Sequence, residues 1–257
     1  MGVLNLTKDS FYDGGKFDNE KKALTHAYKM LEEGADIIDI GAESTRPGAS
    51  KVTCKEEVEK ILPIVKILSK DNIMLSCDTR NSSTMEIVLD TGVNIINDIS
   101  GLNYDRRTTN ILKKYSCTYI LTHSKGEPDV MQNNPFYNNA AGDIYKFFKV
   151  KTHHLVEQGF PLSSIIIDPG IGFGKNDSHN FNIIKFLSIF LDLGLPILIG
   201  LSRKSLIGRF IKDTPENSLS CSIVLALDAY LKGANILRVH DVKETLNAIN
   251  IIKHANF

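Results

Sequence analysis

The sequence predicts an α/β protein, a single (β/α)8 barrel of parallel strands with its site at the C-terminal strand ends. Three observations predict it. Eight short apolar runs rich in Ile, Leu and Val recur along the 257 residues. A polar loop and a stretch of helical periodicity separate each run from the next. The runs are nearly continuous in apolar character, as parallel strands covered on both faces are. Eight such units in roughly 250 residues match a closed barrel in count and length. An open doubly wound sheet is the alternative. It needs fewer strands and a glycine-rich phosphate loop after the first, which GVLNLTKDSF lacks.

In chain order the runs are GVLNLT (2–7), DIIDIG (36–41), IMLSCDT (73–79), NIINDIS (94–100), CTYILTHS (117–124), SIIIDPG (164–170), PILIGLS (196–202) and NILRVHD (235–241). Helical patterns at 20–34, 55–70 and 140–159 lie between them. Gly34, Gly92, Gly159, Gly194 and Gly233 each fall near a helix end, just before the next strand. Glycine is favoured there because the left-handed cap conformation costs it nothing. No linker or low-complexity segment divides the chain, so residues 1–257 read as one domain.

Composition narrows the function classes. Hydrophobic residues make up 42% and charged residues 23%, ordinary for a soluble globular protein. Lys plus Arg (30) balances Asp plus Glu (30), which argues against a nucleic-acid or anionic-membrane surface. Four scattered cysteines without a C-x-x-C argue against a zinc cage or disulfide framework, leaving a cytoplasmic, reducing setting as the default. The N-terminus has no signal-peptide pattern. The most apolar region, 181–202, is broken by Lys185, Asp192, Gly194 and Pro196 and does not read as a membrane span.

In a barrel the strand ends and following loops build the site. Nearly every run here ends in polar groups: Asn5 and Thr7; Glu43, Ser44, Thr45 and Arg46; Asp78; Asn97 and Asp98; His123; Asp168; Ser202, Arg203 and Lys204; Arg238 and His240. Any one of them could be structural, such as a loop cap at Asn97–Asp98 or at Asp168 of DPG. Convergence on one mouth favours a site. Asp78, Asn97 and Asp168 are acceptor-rich and suit a planar heterocycle that shows N–H donors. Arg203, Lys204, Arg238 and His240, with Thr45, suit a phosphate or diphosphate. Asp39 would point into the barrel and pair with an Arg of a neighbouring strand. In GIGFGK (170–175) the glycines would let backbone pass close to a ligand, with Phe173 as a stacking face. His153 and His154, in a helical pattern, read as surface residues. The sequence carries no P-loop, no G-x-S-x-G and no H-E-x-x-H.

Together MGVLNLTKDSF, DIIDIGAESTRPGA, SCDT, NIINDISG, IDPGIGFGK, IGLSRKS and ILRVHDV resemble the dihydropteroate synthase family, in order from Met1 to about Val242. The resemblance implies condensation of 6-hydroxymethyl-7,8-dihydropterin diphosphate with 4-aminobenzoate, assisted by Mg2+, to give 7,8-dihydropteroate and pyrophosphate. Carried over by motif, Asn5 would help hold Mg2+ and the diphosphate. Thr45 would lie near the pterin, and Arg46 with Pro47 over the aminobenzoate. Asp78, Asn97 and Asp168 would bind the pterin edge. Lys204 would stack on and bond the pterin, with Gly200 in the substrate pocket and Ser202 near the aminobenzoate. Arg238 and His240 would grip the diphosphate. Two loops, 8–18 and 46–53, would close over the site.

The resemblance also implies a homodimer and a fused or neighbouring folate-pathway enzyme. Three departures stand out. Lys8 replaces a usual Pro, which loosens the first loop. Ser124 replaces a usual Met, which makes the pterin pocket wall more polar. The chain starts at its first strand, so Met1 reads either as internal to a longer protein or as the start of a barrel with a less covered bottom. Two other classes share part of the pattern: a pterin-binding methyltransferase-type barrel and a catalytically silent folate binder.

Overall fold

A computed structural model describes residues 1–7, 16–43, 52–126, 131–132, 134–212 and 218–255. Lys8, Ser44, Thr45, Arg46 and Pro47 lie outside them, as does most of the two loops expected to close over the site.

All eight expected strands form. They are β1 (Gly2–Asn5), β2 (Ile38–Gly41), β3 (Leu75–Asp78), β4 (Ile95–Asp98), β5 (Thr118–Thr122), β6 (Ile165–Asp168), β7 (Leu198–Ile199) and β8 (Ile236–Leu237). Strands β1 to β6 pair in sequence order, each parallel to the next, and β7 pairs with β8. Two parallel bridges, Ile167 with Ile197 and Gly2 with Val239, join these sheets at both edges. Backbone bonds support each seam: Ile167 N–H to Pro196 O at 2.9 Å, and Val3 N–H to Val239 O at 3.0 Å. A sheet joined at both edges is a closed barrel, so the predicted fold holds.

The helices among the described residues are α1 (Lys16–Glu32), α2 (Cys54–Leu68), α3 (Ser82–Asp90), α4 (Thr108–Tyr115), α5 (Ala140–Glu157), α6 (Asp177–Lys185), α7 (Ser205–Ile211), α8 (Leu219–Leu231) and α9 (Val242–Ala255). Their starts follow local chemistry. Thr53 and Glu56 form a capping box at α2, and Asn176 and His179 form another at α6. Gly34 and Gly233 follow α1 and α8 with φ of 96° and 100°, the left-handed turn that their side-chain-free backbone permits. His153 pairs with Glu157 on the exposed face of α5, at 3.1 Å. No helix among the described residues is long and apolar enough to cross a membrane.

Two apolar layers result. The larger lies between strands and helices, where Leu4, Ile40, Leu75, Ile96, Leu121 and Ile167 meet helix residues such as Met30, Ile64, Met85 and Phe148. The smaller fills the lower barrel with Met1, Ile95, Ile120, Ile166 and Leu198. Side chains alternate along a strand, and partners in parallel register share a face. Two residues beyond Ile95 on β4, the inward position is therefore Asn97. It is paired with Asp78, which is paired with Gly41. Along β4 the barrel interior thus changes from apolar Ile95 to polar Asn97 within one step of the strand repeat. That change places the site.

Candidate active site

Arg238 organises the upper interior. Its Nε donates to Asp39 Oδ2 at 2.6 Å and a terminal nitrogen donates to Asp78 Oδ2 at 3.0 Å. Asn97 Nδ2 donates to the same Asp39 oxygen at 3.2 Å. Asp39 therefore does pair with an Arg, as expected, but across β1 on β8. Burial works against the Arg238 charge, while Asp39 and Asp78 outweigh it and hold the pKa above the usual arginine value. Burial lifts Asp78 to about 7, with Arg238 pulling down and Asp39 pushing up.

Above this cluster lies a pocket that opens to solvent. Its lining is Asp78, Asn97, Ile99, Asp168, Ile171, Phe173, Gly200, Lys204 and Arg238. Seven of the residues read as site groups from the sequence stand together here, with Ile99 and Ile171 as apolar walls that the reading missed. Asp168 serves twice. Its Oδ1 accepts the Gly170 N–H at 2.7 Å, the loop cap, and the same side chain faces the pocket. Burial raises its pKa, opposed by the Gly170 N–H and by Lys204, Lys175 and Arg238. The neighbouring Asp98 is a cap alone. It accepts from the Ser100 and Leu102 amides and from the Tyr119 hydroxyl. Lys204 holds its Nζ 4.5 Å from the Phe173 ring centroid. Burial and then Arg238 lower its pKa to about 8, with Asp168 and Asp78 opposing.

Four residues stand apart from this lining. Arg203 is not part of an anion clamp facing the pocket. It adopts φ of 54°, turns outward and grips Asp241 at 2.6 and 3.1 Å. Its left-handed turn separates two cations that are adjacent in sequence. His240 does not stand among the pocket groups as a cation. Burial, Arg238 and Arg203 lower its pKa to about 4, so it is neutral at pH 7. Ser202 Oγ receives the His240 N–H at 3.2 Å and also lies 3.2 Å from Nδ1, tying β7 to β8 outside the pocket lining. Ser124 turns to the Gly126 carbonyl at 3.3 Å and does not line the pocket either.

The glycines of the β6 loop also behave differently from expectation. A Cβ on Gly170 would stand 2.1 Å from the His123 carbonyl oxygen, and one on Gly174 2.4 Å from that of Lys125. They let the loop pack on the end of β5. Only Gly172 faces a site residue, where a Cβ would stand 3.8 Å from Lys204 Cδ. Gly170→Ala, at φ of 67° against a fixed carbonyl, should cost roughly 2–4 kcal/mol of stability. A urea midpoint equal to that of the parent protein would contradict this packing.

Asn5 closes β1 half-buried, paired in register with Gly41, and is not in the pocket lining. Among the described residues no three His, Cys, Asp or Glu side chains form a metal cage. Mg2+ bound with substrate phosphates needs only one or two protein oxygens, and the Asn5 carboxamide is one such donor, so the donor chemistry fits that ion. A group the sequence reading missed is Arg80. Its guanidinium pairs doubly with Glu43, both at 2.9 Å, and lies 4.3 Å from the Tyr104 ring centroid, bracing the chain where β2 exits.

A closed (β/α)8 barrel with carboxylates, an amide and a lysine around one pocket at its upper mouth defines a heterocycle-binding barrel. The sequence pattern of the pterin binding enzyme family matches residues 1–240. The dihydropteroate synthase of Escherichia coli is 37% identical over 254 residues, spanning 98% of this chain and 90% of that protein. The Yersinia pestis dihydropteroate synthase, solved in a sulfonamide drug complex, superposes with a TM-score of 0.94 at 39% identity, covering 100% of this chain and 93% of that one. The Xanthomonas albilineans dihydropteroate synthase, solved in complex with 7,8-dihydropteroate, gives 0.90 at 30% identity, covering 100% and 92%. The chain belongs to the pterin binding enzyme family as a dihydropteroate synthase-type transferase.

Proposed function

We propose that the protein condenses 6-hydroxymethyl-7,8-dihydropterin diphosphate with 4-aminobenzoate to give 7,8-dihydropteroate and pyrophosphate. The observation that carries this is the convergence of Asp78, Asn97 and Asp168 with Lys204 and Phe173 in one pocket. The acceptors suit the N–H edge of an aminopyrimidinone. Phe173 and Lys204 offer a face and a donor for the ring. Gly200 keeps the pocket clear beside Arg238, where even an added Cβ would only reach van der Waals contact.

In this reading the methylene C–O bond breaks first and its electron pair leaves with the diphosphate. The pterin carries the resulting positive charge, which the carboxylates of Asp78 and Asp168 favour. The aminobenzoate nitrogen then forms the C–N bond and loses a proton. The path is dissociative, and no covalent enzyme intermediate forms. Arg238 belongs to the pocket floor, its charge shared between Asp39 and Asp78, so it holds the pterin-binding Asp78 in place as well as facing the leaving group. His240 enters neutral, as a donor beside Ser202. Asn5 would help hold Mg2+, which when bound supplies charge neutralisation at the leaving diphosphate. We also take the protein to act in the cytoplasm and as a homodimer. The exposed Phe210, Val224 and Leu231 of α7 and α8 are consistent with a second copy.

Pyrophosphate release from the pterin diphosphate should require 4-aminobenzoate. A methyltransferase-type barrel or a silent binder releases none, and that result would overturn the proposal. The pH profile gives a second check. Lys204 acts as a cation, and its pKa lies near 8 instead of the usual lysine value. Deprotonation on raising the pH removes the donor, so kcat/KM for the pterin diphosphate should fall above about pH 8. Lys204→Arg should move that limb beyond the measurable range. A limb that stays where it was would assign it to another group.

A further inference from the structure

Lys175 ends the β6 loop and is only 2% exposed. Its Nζ donates to the carbonyls of Gly170 (2.8 Å), Phe173 (2.9 Å) and His123 (3.0 Å), and lies 2.9 Å from His123 Nδ1. The three acceptors shown are uncharged carbonyls, one for each proton of an ammonium, and the fourth neighbour is an imidazole nitrogen. An ammonium can serve the imidazole as well by sharing a proton. A neutral amine would turn its lone pair toward one of the four. Burial lowers the Lys175 pKa strongly and Asp168 raises it. Lys204 lowers it as well.

Two consequences reach the pocket. The loop wraps around this ammonium, so the carbonyls of Gly170 and Phe173 are fixed by it. Phe173 in turn faces Lys204. The His123 ring is fixed as well. If Lys175 is the ammonium, Nδ1 is the acceptor and the ring proton sits on Nε2; the ring stands edge-on to Phe147 with centroids 4.8 Å apart. We propose that Lys175 is a positioning residue for the transfer reaction: a buried cation that pins the Phe173 wall onto β5 and supplies the counter-charge beside Asp168. The proposal rests on the transferase reading above.

The groups that bear on Asp168 are Lys175, Lys204 and Arg238. Those that bear on Lys175 are Asp168, Lys204 and His123, with Lys125 acting on His123. Lys175→Met removes the charge and keeps an apolar stem; Lys175→Gln keeps a donor without charge. Both should lower kcat/KM for the pterin diphosphate by roughly 10- to 100-fold, the scale of a misplaced binding wall. KM for 4-aminobenzoate should change far less. The acid limb of the profile should move up by about one pH unit, because Asp168 without its counter-charge binds a proton more readily. A folded variant with parental kcat/KM and an unmoved acid limb would overturn the proposal. A parent protein that releases no pyrophosphate would defeat the transferase reading instead, so the two failures are distinguishable. If neither variant folds, nitrogen NMR of the histidine-labelled parent decides. His123 should show the Nε2–H tautomer and stay uncharged down to about pH 5, in line with a pKa lowered to about 2 by burial and Lys175. An Nδ1–H tautomer, or ordinary histidine titration, would refute the Lys175 contact.

Discussion

Lys204→Ala should lower kcat/KM for the pterin diphosphate by roughly 100- to 1,000-fold, the usual loss when one positioned donor leaves a dry site. Its melting temperature should stay within a few degrees of the parent. The two halves of this expectation have different origins. Activity falls because Lys204 is the pocket residue that holds a cationic donor over the Phe173 ring. Stability holds because no neighbour is stranded when the ammonium goes. Asp168 keeps the Gly170 amide, Lys175 and Arg238 as favourable partners. Asp78 keeps its bond to Arg238. A folded variant with parental steady-state rates would remove Lys204 from the chemistry. A large fall in melting temperature would show a structural role instead.

The site was legible in the sequence where one residue type at one strand end determines the outcome. Asp78, Asn97 and Asp168 each follow a short apolar run, and strand periodicity alone turns them inward. What could not be read depends on angles and on contacts between strands. Arg203 and Lys204 are adjacent and chemically alike, yet one left-handed φ sends Arg203 to Asp241. The strand pattern shows Arg238 but does not reveal that Asp39 and Asp78 converge on it from β2 and β3. Lys175 was hidden by its motif. In GIGFGK the glycines and Phe173 drew the reading, and the lysine, which donates to three internal carbonyls, was passed over. The fold needed less information, since eight repeats of one pattern constrain each other. All eight expected spans run longer than the strands that form, β7 and β8 by the most, because the spans run on into residues that bear site side chains and leave the ladder.

Arg238→Met should destabilise the protein by roughly 3–5 kcal/mol near neutral pH, the usual cost of leaving a buried ion pair with one partner missing. Asp39 is fully buried, and without the guanidinium it retains only the Asn97 amide among the bonds described. Asp78 loses the one neighbour that lowers its pKa, which already stands at about 7. The sign of the pH dependence follows. A carboxyl whose pKa is raised by folding binds more protons in the folded chain than in the unfolded one, so its contribution falls as pH rises through the folded value. The variant's deficit should therefore be smaller near pH 5 than near pH 8. Adding Asp39→Asn should restore part of the loss, because the second change removes the stranded charge and keeps an amide of similar shape. Urea unfolding of the parent, the single variant and the double variant at both pH values measures all three effects. An Arg238→Met deficit below about 1 kcal/mol, or one independent of pH, would mean that the cluster is solvated and not a buried ionic floor. Pterin binding should fall in the same variant, because Asp78 then meets the substrate protonated and offers one fewer acceptor to the pterin N–H edge.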